Sequence, residues 1–209
     1  HVTFVGHPLA HLINKKDKID KRSNKKIVLM PGSRKSEILA HGNIFLETAK
    51  KIKKYDQEFS FHMPLVDESH INLIEGLKKE DWIEISIGNS KEVLKDSSMG
   101  FVTSGTASLE AALFGTPVVV AYKTNWLSYK VIKPLLRIKN ISLPNILSEK
   151  ELLPEFLQDD VNPERLLEGF KNIQNNYLNC LKDFERIHTS LLSDGPNTAA
   201  ARVLEIIDS

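Results

Sequence analysis

The spacing of its short apolar runs constrains this chain's fold more than any other feature. Ile27–Met30, Phe59–Met63, Ile83–Ile87, Gly100–Thr103 and Val118–Tyr122 are each four or five residues long. Runs this short, apolar at nearly every position, suit strands buried on both faces of a parallel sheet. Between them, Lys35–Tyr55 puts Ile38, Leu39, Phe45, Ala49 and Ile52 at helical spacing, with a break expected at His41-Gly42-Asn43. Ile71–Lys79, Ser90–Lys95 and Ala107–Phe114 read as further helices. Strands alternating with helices predict an α/β fold, a Rossmann-like parallel sheet with helices on both faces. We expect a core over residues 1–147. Residues 148–209 are expected to be all helical, over about 148–158, 163–193 and 195–208, and to complete the domain. Asn162-Pro163 and Asp194-Gly195-Pro196 are start signals for the later helices.

The 209 residues are 41% hydrophobic and 26% charged, the proportions of a soluble globular chain able to bury a sizeable core. A net charge of +1 argues against a dedicated nucleic-acid binder. The single cysteine, Cys180, excludes an internal disulfide and reads as inert packing. No apolar run approaches the length of a membrane span. The opening HVTFVGHPL reads as a strand, Val2–Val5, from the first residues, so more sequence is expected ahead of His1.

Open parallel sheets bind ligands outside the carboxyl ends of their strands, which directs attention to the turns that follow them. In LMPGSRKSEI, Pro31 ends the strand, Gly32 permits a tight turn, and Ser33 stands where it can cap the next helix. Arg34 at a helix start opposes the macrodipole, a cost that an anion at the same place would offset. An exposed loop arginine is the plainer alternative. In VTSGTASLEAAL, Ser104-Gly105-Thr106 sets small residues at the mouth of a helix, where free N–H groups suit a phosphate. Glu110 lies four residues after Thr106, one beyond the capping-box position, and is available to two ribose hydroxyls. The alternative is an acid that merely favours a helix start.

The remaining turns are weaker signals. Tyr122 and Lys123 end a buried strand, and Lys123 either reaches a phosphate or is simply exposed. In ISLPNIL, Pro144 imposes extended geometry on Leu143, and Asn145 presents an amide in a loop. In VGHPL, His7 sets an imidazole at the sheet edge or serves the structure. Neither G-x-x-x-x-G-K-[ST] nor G-x-G-x-x-G occurs. Asp159-Asp160 reads as a solvated pair ahead of a helix, and neither metal nor cofactor is expected.

FVGHPL, LMPGSRKSEI, SGTASLEAAL, TPVVVAYK, and ISLPNIL followed by ELLPEFLQ occur in the order and spacing of the lipid-A-disaccharide synthases. The chain resembles that family over nearly its whole length. Its members are bacterial glycosyltransferases of GT-B type, with two facing Rossmann-like domains and nearly twice this length. The resemblance implies that this is the C-terminal, nucleotide-sugar half, with its last helices reaching toward the other domain. The implied reaction moves 2,3-diacylglucosamine from UDP to 2,3-diacylglucosamine 1-phosphate, forming lipid A disaccharide 1-phosphate and UDP. The resemblance gives donor-side roles to Gly32, Ser33, Arg34, Ser104, Gly105, Thr106 and Glu110, and it extends to Tyr122, Lys123 and Asn145. Arg34 and the helix N–H groups would stabilise the departing UDP without a metal. The general base is expected from the other half.

Acylated substrates imply work at a membrane surface: a cytoplasmic protein peripheral to the inner face of a Gram-negative inner membrane, with a homodimer left open. KKDKIDKRSNKK, with seven basic and two acidic residues, and WLSYKVIKPLLRI both suit an anionic bilayer. Each also has a plainer reading, as a solvated loop and as a helix packed on the sheet. The alternatives are another UDP-sugar enzyme of this fold or a non-catalytic nucleotide-sugar-binding module. The former would be a peptidoglycan N-acetylglucosaminyltransferase or a UDP-sugar epimerase.

Overall fold

The structure, a computed structural model, describes residues 4, 6–13, 20–103, 105–124, 140–192, 200, 201, 203, 204 and 207. Six strands, β1 (Lys26–Met30), β2 (Ser60–Leu65), β3 (Ile83–Ile87), β4 (Met99–Thr103), β5 (Val118–Tyr122) and β6 (Glu155–Leu157), form one sheet. Their order is β3-β2-β1-β4-β5-β6, and every pairing is parallel. The helices are α1 (Pro8–Leu12), α2 (Lys35–Tyr55), α3 (Ser90–Asp96), α4 (Thr106–Phe114), α5 (Leu143–Ser148) and α6 (Pro163–Leu191).

Successive side chains on a strand point to opposite faces. Ile27 and Leu29 therefore enter one core with Phe101, Val119 and Ala121, while Val28 enters another with Val102, Val118 and Val120. Ile38, Phe45, Leu46, Ala49 and Ile52 of α2 cover the first face. Val93 and Leu94 of α3 and Leu109 and Ala111 to Phe114 of α4 pack in the second core. The long helix α6 serves both. Its Leu166, Phe170, Ile173 and Tyr177 join the first core, and its Cys180, Phe184, Ile187 and Leu191 join the second. Each fully buried side chain of this size contributes about 1.5–3 kcal/mol.

Local chemistry sets the helix ends. Gly115 closes α4 in the left-handed region at φ 71°, and the N–H groups of Gly115 and Thr116 bond back to Ala112 and Ala111 at 3.1 and 2.8 Å. Asn162 starts α6 by accepting from the Arg165 N–H at 3.0 Å, with Pro163 in the first turn.

The structure departs from the sequence reading at several places. Helix α2 runs unbroken through Gly42, because Ile74 fills the space where a side chain would stand; a Cβ there would meet Ile74 Cγ1 at 2.6 Å. The expected helix Ile71–Lys79 is instead two 3-10 turns, Glu68–Leu73 and Leu77–Lys79, with Gly76 at φ 77° between them. Residues 148–209 are not all helical. After Pro154 the chain forms β6, which pairs with β5, so the extended form is selected by a partner distant in sequence. The ISLPNIL loop is in part α5, capped by Ser142. Of Val2–Val5 only Phe4 is described, and it is exposed without regular structure. The start of the expected 195–208 helix lies outside the described residues, while residues 200, 201, 203, 204 and 207 are helical.

The two stretches read as membrane-facing fare differently. WLSYKVIKPLLRI lies outside the described residues, as do residues 15–19 of the basic stretch. The rest of that stretch is committed to the fold. Lys21 is buried, and its ammonium donates to the carbonyls of Lys95 and Phe114, the latter at 3.0 Å. These carbonyls stand at the C-terminal ends of α3 and α4, where a cation offsets the negative pole of the helix dipole. Arg22 pairs with Asp20 at 2.6 Å, and Lys25 pairs with Asp56 at 2.8 Å.

At Gly100, where β4 passes between β1 and β5, the sheet leaves no room for a side chain. A Cβ there would lie 2.4 Å from Val28 Cγ1 and 2.8 Å from the Val28 carbonyl oxygen, which belongs to the backbone. Gly100→Ala is expected to destabilise the chain by about 1–3 kcal/mol, measured by urea unfolding. An unchanged unfolding midpoint would show that β1 and β4 can part without cost.

Candidate functional site

The strand order reverses between β1 and β4. From β1 the chain moves outward through β2 and β3, and from β4 it moves the other way through β5 and β6. Turns leaving these two central strands diverge and open a cleft at their carboxyl ends, the usual ligand position in such sheets. The cleft measures about 540 Å³, with Gly32, Ser33 and Arg34 on one side and Gly105, Thr106 and Glu110 on the other. Two turns that are seventy residues apart in sequence thus face one space.

The first turn is built around Glu37, which sequence reasoning missed. Its carboxylate folds back to accept from the N–H groups of Ser33 and Arg34 at 2.8 and 3.2 Å, and from Arg34 Nη1 at 3.0 Å. Gly32 adopts φ +119°, and a Cβ on it would sit 2.4 Å from Glu37 Cβ. Glycine is therefore required twice here, by the backbone angle and by the returning side chain. The helix cap is Arg34 rather than Ser33. The signal was present: Glu37 stands three residues after the cap, the acid position of a capping box. Burial opposes ionisation of this carboxyl, but the Ser33 and Arg34 N–H groups and the guanidinium outweigh it and hold its pKa below the ordinary glutamate value. Glu37 tethers one end of the Arg34 guanidinium, while the side chain is 79% exposed. An arginine so oriented keeps donors for a phosphate or carboxylate.

At the second turn Gly105 is the cap of α4, with φ 124° and ψ −153°, a conformation open essentially to glycine alone. Thr106 is the first helical residue rather than the cap, and among the described residues no side chain caps this helix. Gly105 and Thr106 are exposed and line the cleft with Ala107, so the N–H groups that open α4 stand at its wall, while that of Ser108 donates to the Gly105 carbonyl at 3.3 Å. Ser108 turns inward, its Oγ donating to the Gly105 carbonyl at 2.9 Å. Glu110 lies five residues beyond the cap and is mostly buried at the cleft wall. Its ion pair with Lys91 spans 3.9 Å, too long for a hydrogen bond, and among the described residues no hydrogen bond ties its carboxylate. Ser104 lies outside the described residues.

The remaining expected residues are not in this cleft. Asn145 requires a correction. It is fully buried in α5 rather than presented in a loop, and its amide is wholly engaged within the protein. Its Nδ2 donates to the Leu153 carbonyl and Glu155 Oε1 at 2.8 and 2.7 Å, and its Oδ1 accepts from the N–H groups of Leu152 and Leu153, both at 2.8 Å. Asn145 thus fastens α5 to the approach of β6. His7 caps α1 by accepting from Leu9 N–H at 3.2 Å. Cys180 is buried, which pushes its thiol up to about 11. Tyr122 and Lys123 are half-buried at the end of β5, one strand beyond the cleft. The Lys123 N–H donates to His41 Nε2 at 2.9 Å, and the opposite ring nitrogen, Nδ1, donates to the Glu37 carbonyl at 2.8 Å. His41, expected at a helix break, instead ties the Arg34 turn to the chain leaving β5.

Sheet order, switch-point cleft and divergent turns define an α/β domain of Rossmann type. Solved structures share this fold. The pneumococcal O-GlcNAc transferase GtfA in complex with UDP and GlcNAc superposes with a TM-score of 0.56 at 12% identity, over 92% of this chain and 38% of that one. The UDP-GlcNAc 2-epimerase from Neisseria meningitidis bound to UDP-GlcNAc gives 0.55 at 16% identity, over 90% of this chain and 46% of that one. At the level of sequence, the Lipid-A-disaccharide synthetase family matches residues 1–199, and this chain belongs to that family. Lipid-A-disaccharide synthase of Colwellia psychrerythraea is 37% identical over 99% of this chain and 56% of its own length. That of Idiomarina loihiensis is 34% identical over 95% and 56%. The chain therefore spans about half the length of these relatives. Family membership disfavours the epimerase and peptidoglycan-transferase readings.

The His41 bridge carries a pH dependence. Burial lowers the His41 pKa below the ordinary histidine value, against the opposing effect of the Glu37 carbonyl and carboxylate, while Lys123 lowers it further. The neutral ring is the form that accepts from Lys123 N–H. Its stabilisation is present above about pH 6.5, the unfolded value, and declines as pH falls through the window toward the lower folded value. His41→Gln is expected to be less stable than the parent at about pH 7.5 and to lose stability less steeply between about pH 6.5 and 5. Thermal unfolding across that range tests this, and an unaltered slope would remove His41 as its source.

Proposed function

We propose that this chain is the nucleotide-sugar half of a lipid-A-disaccharide synthase, acting on UDP-2,3-diacylglucosamine as donor and 2,3-diacylglucosamine 1-phosphate as acceptor. The observation that carries the reading is the convergence of the Arg34 turn and the open start of α4 on one cleft at the β1/β4 switch point. In this reading the free N–H groups of α4 and the Arg34 guanidinium hold the diphosphate. Glu110 accepts the ribose hydroxyls. As the glycosidic bond to the donor sugar breaks, negative charge grows on the leaving UDP, and the same donors stabilise it more strongly than the ground state. The acceptor 6-hydroxyl needs a base; in this reading Glu37 is tied to the Arg34 turn and Glu110 is taken by the ribose, so that role falls to the other half of the enzyme.

Residues 1–147 carry the nucleotide cleft in this proposal, and residues 148–209 complete the sheet edge and the two cores. Acylated substrates set the work at the surface of a bacterial inner membrane, on its cytoplasmic face. Among the described residues no helix is long and apolar enough to cross a membrane.

Calorimetric titration of the chain with UDP tests the site. Arg34→Ala and Glu110→Ala are each expected to weaken UDP binding about tenfold or more. The unfolding temperature of Arg34→Ala should stay near the parent's, because that side chain is largely exposed. Unchanged affinity in both folded variants would remove this cleft as the nucleotide site. Joining the chain to the remaining half of the enzyme and assaying disaccharide formation tests the reaction itself.

A further inference from the structure

Gln158 stands at the carboxyl edge of the sheet. It follows β6 directly and holds φ at +52°, a left-handed conformation that costs a residue with a Cβ energy. Its Oε1 accepts from the Thr124 N–H at 3.2 Å. That bond orients the amide, since a flip would set an NH₂ against an N–H. The Nε2 group is consequently fixed the other way, where it is buried and, among the described residues, has no hydrogen-bond partner. A donor taken from water without an acceptor is destabilising, and natural proteins rarely retain one. Gln158 combines that cost with backbone strain in a single residue, the pattern of a group held ready for something else.

Its place in the sheet suggests what that is. Adjacent strands lie about 4.8 Å apart, so the end of β6 is about 10 Å from the end of β4, where α4 opens onto the cleft. That separation exceeds the reach of a phosphate but suits a hexose attached to one. Tyr122 and Lys123 occupy the strand end between. We propose that Gln158 is a sugar-recognition residue: its Nε2 donates to an oxygen of the hexose carried by the nucleotide, at a subsite over the ends of β5 and β6. This rests on the nucleotide-sugar reading of the cleft. Because the donor is buried in the empty protein, the edge must shift slightly to admit the sugar oxygen, and occupancy is coupled to that shift.

Titration of the full chain with UDP and with UDP-N-acetylglucosamine tests the inference. The parent should bind the UDP-sugar more tightly than UDP. Gln158→Leu should weaken UDP-N-acetylglucosamine about tenfold while leaving UDP affinity almost unchanged. Gln158→Gly relieves the backbone angle and should keep or raise the Tm while losing the same sugar-dependent increment. That pairing of stability kept and affinity lost is one a purely structural glutamine would not produce. Equal loss of both ligands, an unaltered sugar increment, or a Tm in Gln158→Gly that falls below the parent's would overturn the proposal while leaving the UDP cleft standing. Failure of the parent to bind UDP would overturn both.

Discussion

The parallel pairing of β1 with β4 is the constraint on which this molecule depends. The two strands meet at the centre of the sheet, with Val28 opposite Gly100 and Leu29 opposite Phe101. Gly100 has no side chain, so Val28 can fill the space beside it and the second core can close over both. The same pairing sends the chain outward in opposite directions, and the cleft is the gap that results. Packing at the centre of the sheet and an open cleft at its edge are two consequences of one strand order.

The cleft is prepared by groups that need not touch a ligand. Glu37 occupies the interior of the first turn and tethers Arg34, which leaves the rest of the guanidinium free. His41 links the same turn to the end of β5. Lys21, behind the sheet, meets the C-terminal carbonyls of α3 and α4. The N-terminus of α4 faces the cleft while its opposite pole is satisfied by a buried cation. The helix dipole is thus balanced at one end and left open at the other, the end that favours a negative charge.

Much of this was legible from residue patterns. Short apolar runs announced the five longer strands, because burial on both faces demands that composition. Gly32 and Gly105 were recognised as turn residues, and both adopt positive φ. Asn145 was misread because its motif resembles a surface loop, whereas its amide satisfies the backbone of residues 152 and 153. That partner is chosen by the folded chain, and no local rule points to it. β6 escaped notice for a similar reason: three residues carry too little periodicity to declare a strand, and the β5 edge supplies the bonds.

The sequence by itself determined the layer architecture, the family and the turns from which a site could be made. These follow from composition and short-range spacing, which act before the chain folds. Only the tertiary structure decided that the turns after β1 and β4 share one space, and that Glu37, rather than Ser33, organises the first of them. It also decided that Asn145 and Lys21 serve the interior and that Gln158 keeps an unspent donor at the sheet edge. Each of these depends on which group lies opposite which across distant parts of the chain. That is fixed by strand order and burial, and linear spacing does not encode it.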